Sequence, residues 1–330
     1  MSEPADGDGG VSGQLAQLRA ELHALRREVA SLRRHLDERL DGQLAAFHPL
    51  GELRFEHPDL RELQQTKLIV LRRFAAVCEE LGAEYFLHDG TLLGAVRHQG
   101  YIPWDDDLDV AMTRPAYERL RTAMAQRDDC CFDEQVYMDG SFFGKFFLDE
   151  QDRDLDVDIF ILDWCNAASI PELLAQLDRS QAALQQQLQP LFGIIKRMNI
   201  AERNKRGLRM PLHSTPQAVR LLEEPVRLIE AHLAALRGPE VLDSGSCLAS
   251  LSEFVDGARF AVPAAALRPL GQLRFEDRSY PVPADCELWL RRRYGSWRQL
   301  PGDVGIIKHH PTFGVEDMER LRAFRSRHGG

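Results

Sequence analysis

The sequence predicts an α+β fold, in which a mixed sheet is flanked by helices and preceded by a separate coiled-coil helix. Three patterns carry this prediction. Residues 57–81 repeat apolar side chains at helical spacing, residues 142–148 and 155–162 are strand-like runs joined by a polar turn, and residues 14–41 carry an apolar heptad. The chain of 330 residues is long enough to bury one large core or two modest ones.

The N-terminal residues predict assembly. Residues 1–13 are expected to be a disordered tail, and residues 42–56, punctuated by Gly and Pro, a linker. Between them, residues 14–41 place apolar side chains alternately three and four positions apart, the a/d pattern of a left-handed coiled coil. Such a helix is marginal alone in water, so we expect a homo-oligomer through residues 14–41, dimer or trimer. The alternative is a helix folded back on its own globular domain. The heptad consists of Leu15, Leu18, Leu22, Leu25, Val29, Leu32 and Leu36.

Residues 57–330 are expected to form the functional part of the chain. We divide this part into a sheet core at 57–165, a helical insertion at 166–245 and a C-terminal part at 246–330. Apolar spacing and turn residues predict helices at 57–81, 92–96, 115–124 and about 285–293, and strands at 84–87, 102–111, 142–148 and 155–162.

Composition and charge exclude several classes of protein. The net charge of −10 argues against a nucleic-acid-binding surface, and no run of about 18 apolar residues could span a membrane. Residues 1–13 are polar and show no signal peptide. The six cysteines form no CxxC pair, which argues against a zinc cage and favours reduced thiols. We therefore expect a cytoplasmic protein with no nucleic-acid partner and no membrane span.

Four aspartates fall within residues 105–109, on a segment that is otherwise apolar. On a strand, Asp107 and Asp109 point the same way, and two such charges about 4 Å apart repel by ~1 kcal/mol in water and ~4 kcal/mol at a surface-like dielectric. A hard divalent cation with oxygen ligands would relieve this repulsion, with Mg²⁺ first and Mn²⁺ as the alternative. A solvated acidic turn is the competing interpretation, but Trp104 and Leu108 favour a half-buried strand.

Two further pieces accompany the Asp pair in the sequence. Before it, Gly90 and Thr91 lie in a turn that leads into a helix, where backbone N–H groups can hold a phosphate. After it, Asp158 alternates with apolar neighbours on a strand, and a hairpin would bring it beside Asp107 and Asp109. This order suits metal-dependent nucleotidyl or phosphoryl transfer, with two carboxylates on a metal and the third on the metal or on the proton of the attacking hydroxyl.

Residues 85–110 resemble the LicD/fukutin family, whose hallmark is a GTLLGAxRHxGxIPWDDDxD run. Residues 158–163 are similar to its DIFPLD segment, with Ile161 in place of Pro, and residues 288–300 resemble its YG-x-W element. The resemblance implies a nucleotidyltransferase-like fold and transfer of a phospho-alcohol, such as phosphocholine or ribitol phosphate, from a CDP-linked donor to a glycan or lipid-linked glycan, with release of CMP. It also implies roles for individual residues: Asp107, Asp109 and Asp158 as catalytic metal ligands, and Gly90 and Thr91 as the phosphate turn.

Several residues near these motifs have two interpretations. Arg97 could fork onto phosphate oxygens or pair with Asp105 or Asp106, and His98 could relay a proton or bind a backbone partner. Lys145, if it faces Asp158, would balance the carboxylates or hold donor phosphates; otherwise it is a snorkelling edge lysine. Residues 308–310 could close over the site or lie on the surface. Trp104 is expected in the core, and Asp163 is expected to be a cap or turn residue.

Three other functions remain open from the sequence. A glycosyltransferase would use the same Asp pair to hold a sugar nucleotide. A nucleotidyltransferase would direct attack at the α-phosphate and release pyrophosphate. A non-catalytic scaffold would keep the acidic residues only as remnants of an active site.

Overall fold

The computed structural model describes most of the chain beyond residue 56. The expected tail, coiled coil and linker lie outside the described residues, as do residues 308–310 and most of the expected insertion at 166–245. One compact unit comprises Arg54–Gly295 and Gly305–Gly330, and all features below belong to it. A second unit consists of Met1–Leu53 and Ser296–Val304. The described residues are 57–136, 142–166, 170–179, 182, 186, 231, 234, 236–240, 246–253, 260–298 and 313–329.

Helices and strands alternate irregularly along the described chain, which confirms the α+β class. Residues 170–179 are also helical. The helices are α1 (Pro58–Leu81), α2 (Asp89–His98), α3 (Arg114–Met124), α4 (Cys286–Tyr294) and α5 (Val315–His328). The strands are β1 (Phe86–Leu87), β2 (Asp109–Thr113), β3 (Cys131–Val136), β4 (Phe142–Phe147), β5 (Asp156–Asn166), β6 (Ser246–Ala249), β7 (Ala261–Pro263), β8 (Gly271–Phe275) and β9 (Arg278–Val282).

A mixed sheet forms the centre of this unit, as predicted. Its strand order is β1-β2-β5-β4-β3, and β2 and β5 are parallel while their other neighbours are antiparallel. The distal half of the long strand β5 pairs with β6, which pairs with β7, and β8 and β9 form a separate hairpin. Strands β4 and β5 confirm the predicted hairpin. The parallel pair at the middle of the sheet places the acidic residues side by side.

Helix α1 follows the predicted pattern closely. Its N-terminus is capped by His57, whose Nδ1 accepts a hydrogen bond from the Leu60 N–H at 3.2 Å. Its C-terminus is ended by Gly82 in the left-handed region, with φ of 59°. The buried face of the helix contains Leu63, Leu71 and other apolar side chains, and among them one fully buried lysine, Lys67. That lysine faces the acidic residues of the sheet.

The acidic segment is not a continuous strand from 102 to 111, and this expectation was wrong. Strand β2 begins only at Asp109, so Asp107 lies before the strand, in a segment with no regular secondary structure. The cause is that β1 is short: it pairs only with Val110 and Ala111. The backbone before Asp109 instead bonds to helix α1, where the Gln64 side chain donates to the Asp105 carbonyl at 2.8 Å.

The segment after α2 is packed against that helix without room for a side chain. A Cβ on Gly94 would lie 2.4 Å from the carbonyl oxygen of Gly100 and 3.2 Å from the nitrogen of Ile102. Such a close backbone approach is open only to glycine. Trp104, which follows, is buried in the core as expected. Helix α2 therefore fixes the path of the chain into the acidic segment.

Asp163 is not the cap or turn residue expected from the sequence. It lies inside β5 with a fully buried side chain. The Arg114 guanidinium donates from Nε and Nη2 to the two carboxylate oxygens, both at 2.9 Å. Such a forked pair satisfies a carboxylate that would otherwise be costly to bury.

No helix among the described residues has the length and apolar character required to cross a bilayer.

Candidate active site

Two predicted metal ligands lie directly opposite each other on neighbouring strands. Asp109 on β2 is the register partner of Asp158 on β5, in the parallel part of the sheet. Opposite residues on neighbouring strands share a face of the sheet, so the two carboxylates project to the same side. The backbone ladder begins at this point, where the Asp158 N–H donates to the Leu108 carbonyl at 2.8 Å. Asp109 and Asp158 are 49 positions apart in the sequence and lie side by side in the sheet, as predicted.

The sequence predicted a turn ahead of a helix at 92–96, but α2 begins at Asp89, so Gly90 and Thr91 lie in the first turn of that helix. This Gly90–Thr91 turn holds Asp109 from the other side. The Gly90 N–H donates to Asp109 Oδ2 at 3.1 Å, and Thr91 Oγ1 accepts from the Asp109 N–H at 2.7 Å. A Cβ on Gly90 would lie 2.7 Å from Asp105 Oδ2, so a larger residue would push into the acidic group. The turn and the acidic strand therefore form one structural unit, and phosphate binding at the turn stays a prediction.

Two lysines hold the acidic residues together. Lys145 Nζ lies 2.5 Å from both Asp158 Oδ1 and Asp156 Oδ2, so it faces the side of the sheet that carries Asp158. Lys67 Nζ lies 3.2 Å from Asp156 Oδ1 and 3.3 Å from Asp107 Oδ1. Asp156 accepts from both lysines and connects Asp107 to Asp158 through a continuous chain of charges. Donor binding by Lys145 stays a prediction.

The carboxylates retain an excess of negative charge despite these lysines. Burial raises the pKa of Asp109 well above its usual value, and the charges of Asp89, Asp107 and Asp105 add to this shift. Burial likewise raises the pKa of Asp158 to about 6, although Lys145 opposes the change. A group of acids with such raised pKa values favours binding of an additional cation.

The chemistry of these side chains fits a hard divalent metal ion. Asp107, Asp109 and Asp158 offer carboxylate oxygens, the ligands that Mg²⁺ and Mn²⁺ prefer. Within the described part of the chain, no three acidic, His or Cys side chains already stand at metal-binding spacing. The lysine ammonium groups lie between Asp107, Asp156 and Asp158 instead, so metal binding would require Asp107 and Asp158 to turn from the lysines toward an ion shared with Asp109.

Arg97 and His98 lie at the C-terminal end of α2, and both are half-buried. Burial lowers the pKa of Arg97, while Tyr294 and Asp105 oppose that shift, so the guanidinium stands near the acidic segment. This position is compatible with both interpretations of Arg97. Binding of substrate by Arg97 or His98 stays a prediction.

A second charged cluster includes Asp89, the residue directly before the Gly90–Thr91 turn, and the sequence did not predict this cluster. Arg293 at the end of α4 contacts the carboxylates of Asp89 and Glu253. On the same helix, Trp289 Nε1 donates to His88 Nδ1 at 3.1 Å. Burial lowers the pKa of His88 to about 3, so the imidazole is neutral. Two signals were available: the polar pair His88–Asp89 directly after an apolar strand, and the resemblance of residues 288–300, which contain Trp289 and Arg293, to the YG-x-W element.

Lys67 and Asp156 were also missed. Lys67 occupies a position in the apolar stripe of α1, where an aliphatic residue is the usual choice. Asp156 shares a strand face with Asp158, two residues away. A charged residue in an apolar stripe is a usable signal for a buried ion pair, because a lone buried charge is not stable.

The paired carboxylates on neighbouring strands and the adjacent Gly-Thr turn lie within a segment that matches a known family. Residues 82–191 match the family described as LicD/FKTN/FKRP, nucleotidyltransferase domain. The resemblance seen in the sequence is thereby confirmed.

Curated relatives match over shorter segments. The lipopolysaccharide cholinephosphotransferase LicD of Haemophilus influenzae is 53% identical over 61 residues, which are 18% of this chain and 23% of that protein. The ribitol 5-phosphate transferase FKRP of Homo sapiens is 37% identical over 89 residues, 26% of this chain and 17% of that protein. The chain thus spans about a quarter or less of the length of these relatives.

Proposed function

We propose that the protein is a metal-dependent phosphotransferase. It moves a phospho-alcohol group, such as phosphocholine or ribitol phosphate, from a CDP-linked donor to a hydroxyl of a glycan or lipid-linked glycan, and it releases CMP. The observation that carries this proposal is the register pairing of Asp109 with Asp158, beside the turn that holds Asp109. The names of the two relatives, a cholinephosphotransferase and a ribitol 5-phosphate transferase, support the same class of reaction.

The chain supplies the groups that this reaction needs. The acceptor oxygen forms a bond to the phosphorus that carries the alcohol, and the bond from that phosphorus to the oxygen of CMP breaks. Asp158 either takes the proton of the acceptor hydroxyl itself or helps a bound metal ion to activate that hydroxyl, and Lys145, 2.5 Å from it, balances the charge of the departing CMP phosphate. Asp107, Asp109 and Asp158 would hold Mg²⁺ or Mn²⁺, which neutralises charge on the reacting phosphate when bound.

A panel of donors tests the proposal. Thermal unfolding is measured with CDP-choline, CDP-ribitol, CDP-glycerol and CDP-ethanolamine, each with and without Mg²⁺. One donor with Mg²⁺ is expected to raise the Tm of the wild-type protein, because it binds the native state. With a glycan acceptor, that donor is expected to yield CMP and a product heavier by the phospho-alcohol.

Asp128→Asn is the matched control for the site variant Asp109→Asn, since Asp128 is exposed and lies before β3. It is expected to behave as the wild type. Pyrophosphate release with a nucleoside triphosphate would indicate a nucleotidyltransferase instead, and a product heavier by a hexose would indicate a glycosyltransferase. Absence of binding and turnover with every donor would leave the scaffold interpretation.

Magnesium is expected to stabilise the protein more at about pH 7.5 than at about pH 5. The raised pKa of Asp158, about 6, means that the native state keeps a proton that the unfolded state loses near pH ~3.9. The metal-free protein therefore loses stability as pH rises through this window, and ion binding, which needs the deprotonated carboxylate, restores it above the window. Thermal unfolding in EDTA and in Mg²⁺ at both pH values checks this. Equal Mg²⁺ shifts would contradict it.

We also propose that residues 14–41 assemble the protein into a homo-oligomer in the cytoplasm. Deleting residues 1–41 is expected to give a smaller oligomer that keeps turnover, because the acidic site lies wholly within residues 57–330. Light scattering and CMP release on the shortened chain check this. A folded but inactive shortened chain would contradict the separation of assembly from chemistry.

A further inference from the structure

The turn that holds Asp109 begins with a residue in an unusual backbone conformation. Asp89 has φ of 38°, in the left-handed region that residues other than glycine rarely adopt. Its neighbours carry the functional contacts, because Gly90 and Thr91 bond directly to Asp109. Strained backbone of this kind persists only where surrounding contacts hold it.

Helix α4 contacts the turn through two side chains, one helical turn apart. Trp289 donates to His88, and Arg293 contacts the Asp89 carboxylate from its Nη2. The two residues reach consecutive positions of the turn from the same face of the helix, since they are four apart. His88 is fully buried, and its other ring nitrogen lies 3.3 Å from Asp89 Oδ1. Helix α4 therefore clamps the start of the turn.

Arg293 is itself held in place by a second acid. Its Nη2 lies 2.7 Å from Glu253 Oε1, and its Nη1 lies 3.3 Å from Glu253 Oε2. The side chains of Arg293, Asp89 and Glu253 are 12%, 11% and 5% exposed. A planar guanidinium can bind both carboxylates at once, and a lysine ammonium cannot reproduce this fork.

We propose that Arg293 is a positioning residue for the reaction: by holding Asp89 against α4, it sets the Gly90–Thr91 turn that orients Asp109. The chain of contacts is continuous from Arg293 to Asp89, through the backbone to Gly90, and from Gly90 N–H to Asp109 Oδ2. Arg293 acts through Asp109 and has no direct role in the chemistry. The kinetic test of this inference rests on the proposed function, whereas the hydrogen-exchange test does not.

Amide hydrogen exchange tests the positioning role without any substrate. In Arg293→Met, the amides of residues 90–92 are expected to exchange about tenfold faster than in the wild type, because the turn opens locally. Arg292→Met is the matched control, since Arg292 is an exposed neighbour on α4, and it is expected to exchange as the wild type does. Unchanged exchange at residues 90–92 in Arg293→Met would overturn the proposal. If Arg293→Met does not fold, Arg293→Lys is measured against the same criterion.

Kinetics supply the second test, with the donor that the panel identifies. The kcat of Arg293→Met is expected to fall about 100-fold, and Arg293→Lys to recover part of the loss, while the donor KM changes far less. Adding Asp89→Asn to Arg293→Met is expected to cause no further loss, since both changes break the same contact. Independent, additive losses, or a lower Tm with unchanged kcat, would overturn the proposal. A wild type without turnover on any donor refutes the proposed function and leaves the exchange result to decide the positioning role.

Discussion

Replacing Asp109 by Asn is expected to reduce turnover roughly 10³-fold while the protein stays folded. The amide oxygen can still accept from the Gly90 N–H at the position of Oδ2, so the turn is kept. What is lost is the negative charge that faces Asp158 across the two strands. Without it, the proposed site is expected to bind a divalent cation more weakly and to lose its hold on the reacting phosphate.

The same substitution is expected to raise the Tm of the metal-free protein at neutral pH. Burial, and then the charges of Asp89 and Asp107, raise the pKa of Asp109, so the native state binds its proton more tightly than the unfolded state does. The native state therefore loses stability as pH rises above the pKa of an unfolded aspartate, about 3.9, and Asn removes that cost. Functional residues commonly trade stability for activity in this way.

CMP release and thermal unfolding, each in Mg²⁺ and in EDTA, measure both effects of Asp109→Asn. Asp128→Asn is again the control, since it removes one exposed carboxylate away from the site. Full turnover of Asp109→Asn at saturating Mg²⁺ would show that Asp109 is not a metal ligand.

Replacing Lys67 by Met is expected to lower the free energy of unfolding by about 3–5 kcal/mol. Burial disfavours the charge of Lys67, but Asp156 and Asp107 outweigh this effect and raise its pKa. Methionine fills a similar volume in the apolar stripe, so the loss comes from removing the cation that Asp107 and Asp156 share, which leaves Lys145 alone to balance Asp156 and Asp158. Truncating one partner of a buried ion pair is costly for this reason.

Urea unfolding of Lys67→Met and of Gln65→Met measures the effect. Gln65 is exposed on the same helix, so it controls for the introduction of methionine into α1. A deficit of similar size in Gln65→Met, or an unchanged free energy of unfolding in Lys67→Met, would contradict the role of Lys67.

Much of the fold followed from local patterns. Helix α1 was predictable because its apolar stripe, its proline near the start and Gly82 at its end all agree. The β4–β5 hairpin was predictable because two apolar runs flank a polar turn. The start of β2 was not, because strand length depends on the partner, and β1 offers only two residues for pairing.

The site was predictable only where chemistry and spacing coincide in one motif. Asp109, Asp158 and Lys145 were found because each carries a charge at a strand position between apolar residues. The ion pairs of Arg293 were not predictable, because Arg293 contacts Asp89, 204 positions away, and Glu253, 40 positions away, and no contiguous pattern contains the partners of either pair. The packing of distant elements determines which charged residues form such ion pairs, so local sequence patterns do not predict them.

Strand β5 carries acids on both of its faces. Asp156 and Asp158 face the lysines on one side, while Asp163, an odd number of residues further on, faces Arg114 on the other. A slip of β5 by one residue would turn all three carboxylates away from their cations at once and bury them in apolar surroundings. These ionic contacts thus stabilise the observed alignment of β5. A pairing of β2 with β5 in another register would lose them, so the charges that build the site also favour the correct alignment of the strands.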